Sequence, residues 1–359
     1  MTAVETWAEV GDRIREARLA AGLSQGQLSL AVGLERTALV RVEAGQRQLT
    51  ALELYRVADA LRLPLAHFVT RPPEAMRSRR QALADEADSA ARDRLQLDAA
   101  LEAQLRDTDQ LVAYGVLVPP APPEARQVRT LDAAAALARD ARRILGHESG
   151  PLGPLAEVAE KFGLFLTVVD LDADGASMFL DTYGVAVTGC VEPGRRRWTA
   201  VHELGHHLIR DEYHTDVGVA ASRDEREHLV DVFTGEFLLP QNDLLAKARS
   251  AGDDTRAFLI GIAAAYRLSW SAVVDRARRA ELVSAEQAQR LRAQAPMKGD
   301  FLAVLGREPY PDLPLGDRGP LWTQAVLRAH SEALITGQRA VELLGGRISL
   351  EELPEEDCW

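Results

Sequence analysis

The sequence predicts an α+β chain in which helix dominates. Three observations carry that expectation. Apolar, β-branched runs suited to strands occur only at 164–169 and 176–190. Most of the remainder is rich in Ala, Leu, Arg and Glu, with apolar residues at helical spacing. Proline and glycine punctuate it at Arg71-Pro72-Pro73, at 119–123 and at 316–320. At roughly 150 residues per domain, 359 residues suggest two or three domains. The punctuation divides them into 1–70, a helical connector at 71–127, a larger block at 128–296 and a helical region at 297–359.

Composition excludes several classes. A hydrophobic share of 47% with 27% charged residues is that of an ordinary globular chain. No window of about 18 consecutive apolar residues exists, and the acidic N-terminus has no apolar signal core, so neither a membrane span nor a secretory signal is expected. Cys190 and Cys358 are the only cysteines, which argues against a disulfide framework and for a cytoplasmic protein. The net charge of −12 argues against a protein coated in basic patches, but one locally positive face remains compatible with it.

Residues 7–70 read as several short helices. Ser24 is an N-cap for a helix carrying Leu28 and Ala31, and Gly33 follows where a tight turn needs a residue without Cβ. A second helix, 35–44, buries Ala38, Leu39 and Val42, and Gly45 ends it. Two short helices joined by a glycine-containing turn form a DNA-reading unit whose second helix enters the major groove. Glu35, Arg36, Thr37 and Arg41 are the side chains expected to face bases, with Gln25, Gln27 and Arg47 as further contacts. Eight Arg against eight Asp and Glu leave residues 1–70 neutral, so a dimer is expected to supply part of the affinity. A helical protein–protein module in the same fold is the alternative.

The run Ile14-Arg-Glu-Ala-Arg, Gly22-Leu-Ser-Gln, Ala31-Val-Gly-Leu, Val42-Glu-Ala-Gly and Leu52-Glu-Leu resembles the Cro/cI-type (XRE) helix-turn-helix family over nearly the whole block. The resemblance implies a five-helix domain, a double-stranded DNA operator as partner, and a homodimer. It also implies that Glu43 serves the fold and does not read bases.

Residues 74–116 read as one or two helices, and 128–147 and 154–162 as further ones, the last ended by Gly163. Asp174-Gly175 and Tyr183-Gly184 are expected as turns between strands. Beyond Thr199 the pattern is helical almost to the end. At its start stands His202-Glu203-Leu204-Gly205-His206. Histidines four apart lie on one helix face, one turn apart, where a single Zn²⁺ can take both, and the intervening Glu then lies beside the metal-bound water.

A catalytic zinc site needs a third protein ligand. The metzincin pattern would place Gly and His where this chain has Ile209 and Glu212, so that class is rejected. Glu227 and Asp231 share a face of the next helix. Glu227 is the expected ligand, and Asp231 would accept a hydrogen bond from a ligating histidine. His214, His228, Asp231 and Glu236 are the other candidates for the third position.

The block 130–280 resembles the ImmA/IrrE family of zinc metallopeptidases. The resemblance rests on Arg197-Trp-Thr-Ala-Val-His-Glu-Leu-Gly-His-His-Leu and on the series Glu227, Asp231, Phe233 and Leu238-Leu-Pro240. Val230 and Thr234 depart mildly from it. It implies a zincin-like helical domain with a small three-stranded sheet, one Zn²⁺ per chain, and metal-assisted peptide hydrolysis. Glu203 would move the proton, and the substrate would lie along an edge of the 164–190 strands. It also implies a protein substrate, an XRE-type repressor. The order of the two domains on one chain adds this chain's own 71–127 connector as a target, where 76–81 suits a cut. Tyr183, Tyr213 and His214 are candidates for stabilising the oxyanion. Cys190 is a candidate fourth ligand that would hold the enzyme latent, with a small buried hydrophobe as the plainer role. The competing class is a transcription regulator whose peptidase-like domain senses or scaffolds without proteolysis. The 297–359 region, with Leu321, Trp322, Val326, Leu334, Val341 and Leu344 in amphipathic order, is expected as core or a dimer surface.

Overall fold

The structure, a computed structural model, describes residues 2–71, 91–121, 123, 128–180, 182–189, 192–209, 220–252 and 254–354. The chain divides into two compact units. The first is built on Met1–Asp109 and the second on Gln110–Asp170, Asp174–Asp211 and Gly218–Trp359.

Five helices open the first unit: α1 (Trp7–Ala20), α2 (Gln25–Val32), α3 (Arg36–Glu43), α4 (Ala51–Leu61) and α5 (Leu65–Val69). Their starts are written locally. Ser24 and Thr50 cap α2 and α4 through reciprocal bonds with Gln27 and Glu53, which satisfies amides at each helix start. Gly33 closes α2 at φ +71°, a left-handed conformation that costs glycine nothing. Ile14, Leu28, Leu39, Val42, Val57 and Phe68 are enclosed in one apolar core. Ala31 is exposed, contrary to expectation: Leu28 and Val32, one turn apart, are the inward pair. Strands β1 (Thr2–Ala3) and β2 (Thr70–Arg71) pair antiparallel. Helix α6 (Ala91–Ala113) follows, and its Leu95 and Ala99 join this core.

The second unit opens with α7 (Leu131–Ile144) and α8 (Leu155–Glu160), then strands β3 (Leu164–Val169), β4 (Gly175–Leu180) and β5 (Tyr183–Gly189). The sheet order is β3-β5-β4, with β5 parallel to β3 and antiparallel to β4. Tyr183-Gly184 is not the expected turn. Both residues begin β5, and Gly184 lies where a Cβ would strike the His207 ring, 2.5 Å from Nδ1. The glycine is there for a close approach, not for chain reversal.

Helices α9 (Pro193–Ile209) and α10 (Ala220–Leu238) follow. One face of β4 runs along α9: Gly175 abuts Thr199, Ser177 bonds Glu203, and the Phe179 ring meets His207 edge-on at 5.3 Å. Two strand residues advance about 6.8 Å and four helix residues about 6 Å, so the two periods stay in step over this length. On the opposite side of α9, Gly205 permits α10 to close in. A Cβ there would lie 2.9 Å from Val230 and 3.0 Å from Phe233. Buried Arg142 of α7 donates to the carbonyl of Phe237 and fixes the far end of α10.

Shorter helices complete the unit: α11 (Gln241–Arg249), α12 (Thr255–Tyr266), α13 (Trp270–Arg279), α14 (Ala285–Ala293), α15 (Lys298–Leu305), α16 (Pro320–Ser331) and α17 (Gly337–Leu343). The C-terminal region is tied to the sheet and to α9. Arg197 pairs with Asp312, Arg196 donates to the Leu313 carbonyl, and the Gly316 amide donates to Val168 at 3.0 Å. Glu160 accepts the first amides of α16, from Leu321 and Trp322, at 2.8 Å each. No single helix among the described residues is long and apolar enough to cross a membrane.

Candidate metal centre and helix-turn-helix surface

Because α9 carries His202 and His206 one turn apart and Gly205 draws α10 close, three ligand atoms converge. His202 Nε2 lies 3.0 Å from Glu227 Oε2 and 3.1 Å from His206 Nε2, and His206 Nε2 lies 3.7 Å from Glu227 Oε2. Four-coordinate zinc with bonds of about 2.0–2.1 Å wants its ligand atoms roughly 3.3 Å apart, so the spacing fits. Two imidazoles and one carboxylate also make a donor set suited to zinc. Among the described residues this is the one group of three that could hold an ion.

His202 turns its other nitrogen, Nδ1, to Asp231 Oδ1 at 3.3 Å, the carboxylate–histidine arrangement that fixes a ligating ring. Burial disfavours a charged His202, yet the hydrogen bonds to Asp231 and Glu227 and the nearby Glu203 charge outweigh it and raise its pKa to about 10. The pocket thus attracts positive charge at the position where a metal ion would stand. Glu203, largely buried, accepts a 2.5 Å hydrogen bond from Ser177 Oγ.

The alternatives for the third ligand separate clearly. Glu236 is buried in an ion pair with Arg276 at 2.7 Å, His228 is exposed and outside the cluster, and Asp231 serves the second nitrogen of His202. Tyr183 does not fit the expected oxyanion role. Gly184 faces α9, so its neighbour points to the other face of the sheet, where Tyr183 packs on Phe165 at 6.1 Å. Tyr213, His214 and Cys190, and the suggested cut at 76–81, lie outside the described residues. Sequence reading missed Ser177. Its signal was weak: a polar residue in an alternating strand, legible only once β4 is set against α9.

On the first unit, Glu35, Arg36, Thr37 and Arg41 are exposed along α3. Arg15, Arg36, Gln25 and Val40 line a surface cavity of about 700 Å³ beside the start of α2. Other expected contacts have local partners. Gln25 donates to Glu43 at 2.8 Å, Gln27 completes the α2 capping box, and Arg47 pairs with Glu53 at 2.7 Å. Glu43 itself is buried and takes two bonds from Arg18, at 2.6 and 3.0 Å, a fold role.

Comparisons with known proteins agree with these two regions. Residues 14–68 match a family model described as helix-turn-helix. Residues 159–278 match the M78 peptidase model, described as an IrrE N-terminal-like domain. No curated protein matches the chain. The crystal structure of Bacillus thuringiensis PlcR in complex with the peptide PapR7 and DNA aligns over 94% of each chain at 11% identity. Its TM-score is 0.18, too low to carry an argument. The chain thus carries an XRE-type helix-turn-helix domain at its N-terminus and, behind it, an IrrE N-terminal-like domain of the M78 peptidase family.

Proposed function

We propose that this protein is a DNA-binding transcription regulator with a zinc-dependent endopeptidase that cleaves a repressor, either its own chain or a separate XRE-type protein, and so releases the genes it controls. The observation that carries the reading is the convergence of His202, His206 and Glu227 with Glu203 beside them. A purely structural site has no use for Glu203.

His202, His206 and Glu227 would hold the zinc, one per chain, and Asp231 would keep the His202 ring in its ligating orientation. When bound, the ion supplies Lewis-acid activation for amide hydrolysis. Glu203 would take a proton at its carboxylate and return it to the leaving amine. Ser177 would hold that carboxylate in place through its hydrogen bond. The substrate would add to β4, an edge strand of the sheet beside α9, in extended form. The other edge strand, β3, accepts an amide from Gly316.

Support for DNA binding is local. Residues 1–70 are neutral as a whole, but Glu43, Glu53 and Glu9 are each paired with an arginine, while Arg36 and Arg41 of α3 are exposed. A dimer on operator DNA would combine two such faces.

The test compares intact masses of zinc-loaded full chain and Glu203→Gln over time, alone and with XRE-type repressors from neighbouring genes. A fragment formed by the wild type and absent from the variant supports the reading. Uncut chains and repressors in both, each protein holding one zinc, would favour the sensing regulator instead.

A further inference from the structure

A groove opens beside Asp231, between α9, α10 and α13, with a volume of about 320 Å³. That is at the lower end of the ~300–1,000 Å³ typical of ligand pockets and suits one or two residues of a polypeptide. Trp198 lines it one helical turn before His202, and Asp231, whose carboxylate meets His202 Nδ1 at 3.3 Å, lines it too, so the groove borders the candidate metal centre. Gly235 keeps its floor open: a Cβ there would approach Arg276 to 3.1 Å and Trp198 to 3.5 Å. Arg195, at the other end of the same α9 face, pairs with Asp174 at 2.6 Å, immediately before β4. The groove thus borders the metal ligands through Asp231 and the start of β4 through the Arg195–Asp174 pair.

Its charges are not balanced. Three arginines, Arg195, Arg276 and Arg279, face two aspartates, Asp231 and Asp275, along its lining. Arg195 is paired with Asp174, Arg276 with Glu236 and Asp275 with Arg292, while Asp231 faces His202 Nδ1. Arg279 also lines the groove, is exposed, and has no ion pair among the described residues. It stands as a spare cation in a groove that also presents the Trp198 indole.

We propose that this groove is the subsite for the residue next to the scissile bond, and that Arg279 selects an acidic side chain there. The inference rests on the peptidase reading for the identity of the ligand as a polypeptide. A carboxylate entering the groove would meet the Arg279 guanidinium, which has no ion pair among the described residues, whereas a lysine there would be repelled by it.

The test uses zinc-loaded full-length Glu203→Gln, so that binding is read without turnover. The probes are fluorescent Ala-based octapeptide pools in which Glu, Gln or Lys is scanned through each position. Fluorescence anisotropy is expected to show the best Glu pool binding about tenfold more tightly than the matching Lys pool, near 1.4 kcal/mol. Adding Arg279→Glu should reverse that order. Adding Ser271→Trp, which fills the groove from an exposed position, should weaken all pools with zinc content unchanged. Equal binding of the Glu and Lys pools, or a Glu preference untouched by Arg279→Glu, would overturn the proposal. Failure of the two readings is distinguishable. An acidic preference in a protein that cleaves nothing removes the peptidase and leaves the groove. Cleavage by the wild type without charge preference does the reverse.

Discussion

Two clusters of interlocked ionisable side chains, one from each unit, are built on opposite principles. In the first, Arg18 forks onto both oxygens of Glu43, gives a third bond from Nη1 to the Leu23 carbonyl, and Gln25 adds a further bond to the carboxylate. Charge and hydrogen bonding are closed within the protein. In the second, two imidazole nitrogens and a carboxylate oxygen crowd within 3.7 Å of one another, and further carboxylates stand behind them. That cluster attracts a proton onto His202 because it holds more negative charge than its own groups neutralise. A closed cluster serves the fold, whereas an open one is arranged around a guest.

Four substitutions sharpen the contrast, in decreasing order of expected effect. Glu43→Ala leaves buried Arg18 without its partner. It should destabilise the first unit by about 3–5 kcal/mol in denaturant titration, with zinc content of the second unit unchanged. Equal loss of zinc would mean that the two clusters are not independent.

Glu160 gives a pH signature. Burial raises its carboxyl to about 7, although the Leu321 and Trp322 amides favour the ion. A folded pKa above the unfolded value means the folded state binds the proton more tightly. The contribution is full below about 4.5 and is lost as pH rises through 7, about 3 kcal/mol in all. Thermal melts of Glu160→Gln should therefore show a smaller loss of stability between pH 5 and 8 than the wild type. Parallel curves would contradict this.

Asp231→Asn keeps the shape but weakens the grip on the His202 ring. Zinc affinity should fall roughly 10–100-fold by competition with a chelator, while folding is retained. The smallest effect is expected for Ser177→Ala. It removes one hydrogen bond from Glu203 and should lower kcat about tenfold with zinc affinity unaltered. A change in zinc affinity instead would place Ser177 with the ligands.

What the sequence revealed followed local rules. Ser24, Gly33 and the His202–His206 pair are set by spacings of a few residues, so helix periodicity and capping exposed them. Glu227 could be named but not separated from Glu236 or His228, because that choice depends on how α10 rests on Gly205. Ser177 and Glu160 were invisible for the same reason: their partners lie 26 and about 160 residues away. Gly316 to Pro320 has the composition of a linker, yet its first amide bonds the edge of β3. Tyr183-Gly184 has the composition of a turn, and only the position of His207 explains the glycine.

The most direct test of the central claim is elemental analysis of full-length wild type and Glu227→Gln after zinc loading and removal of excess metal. One zinc per wild-type chain and its loss from the variant is the predicted result. A wild type that holds no zinc, or a variant that holds it undiminished, would contradict a site made by His202, His206 and Glu227.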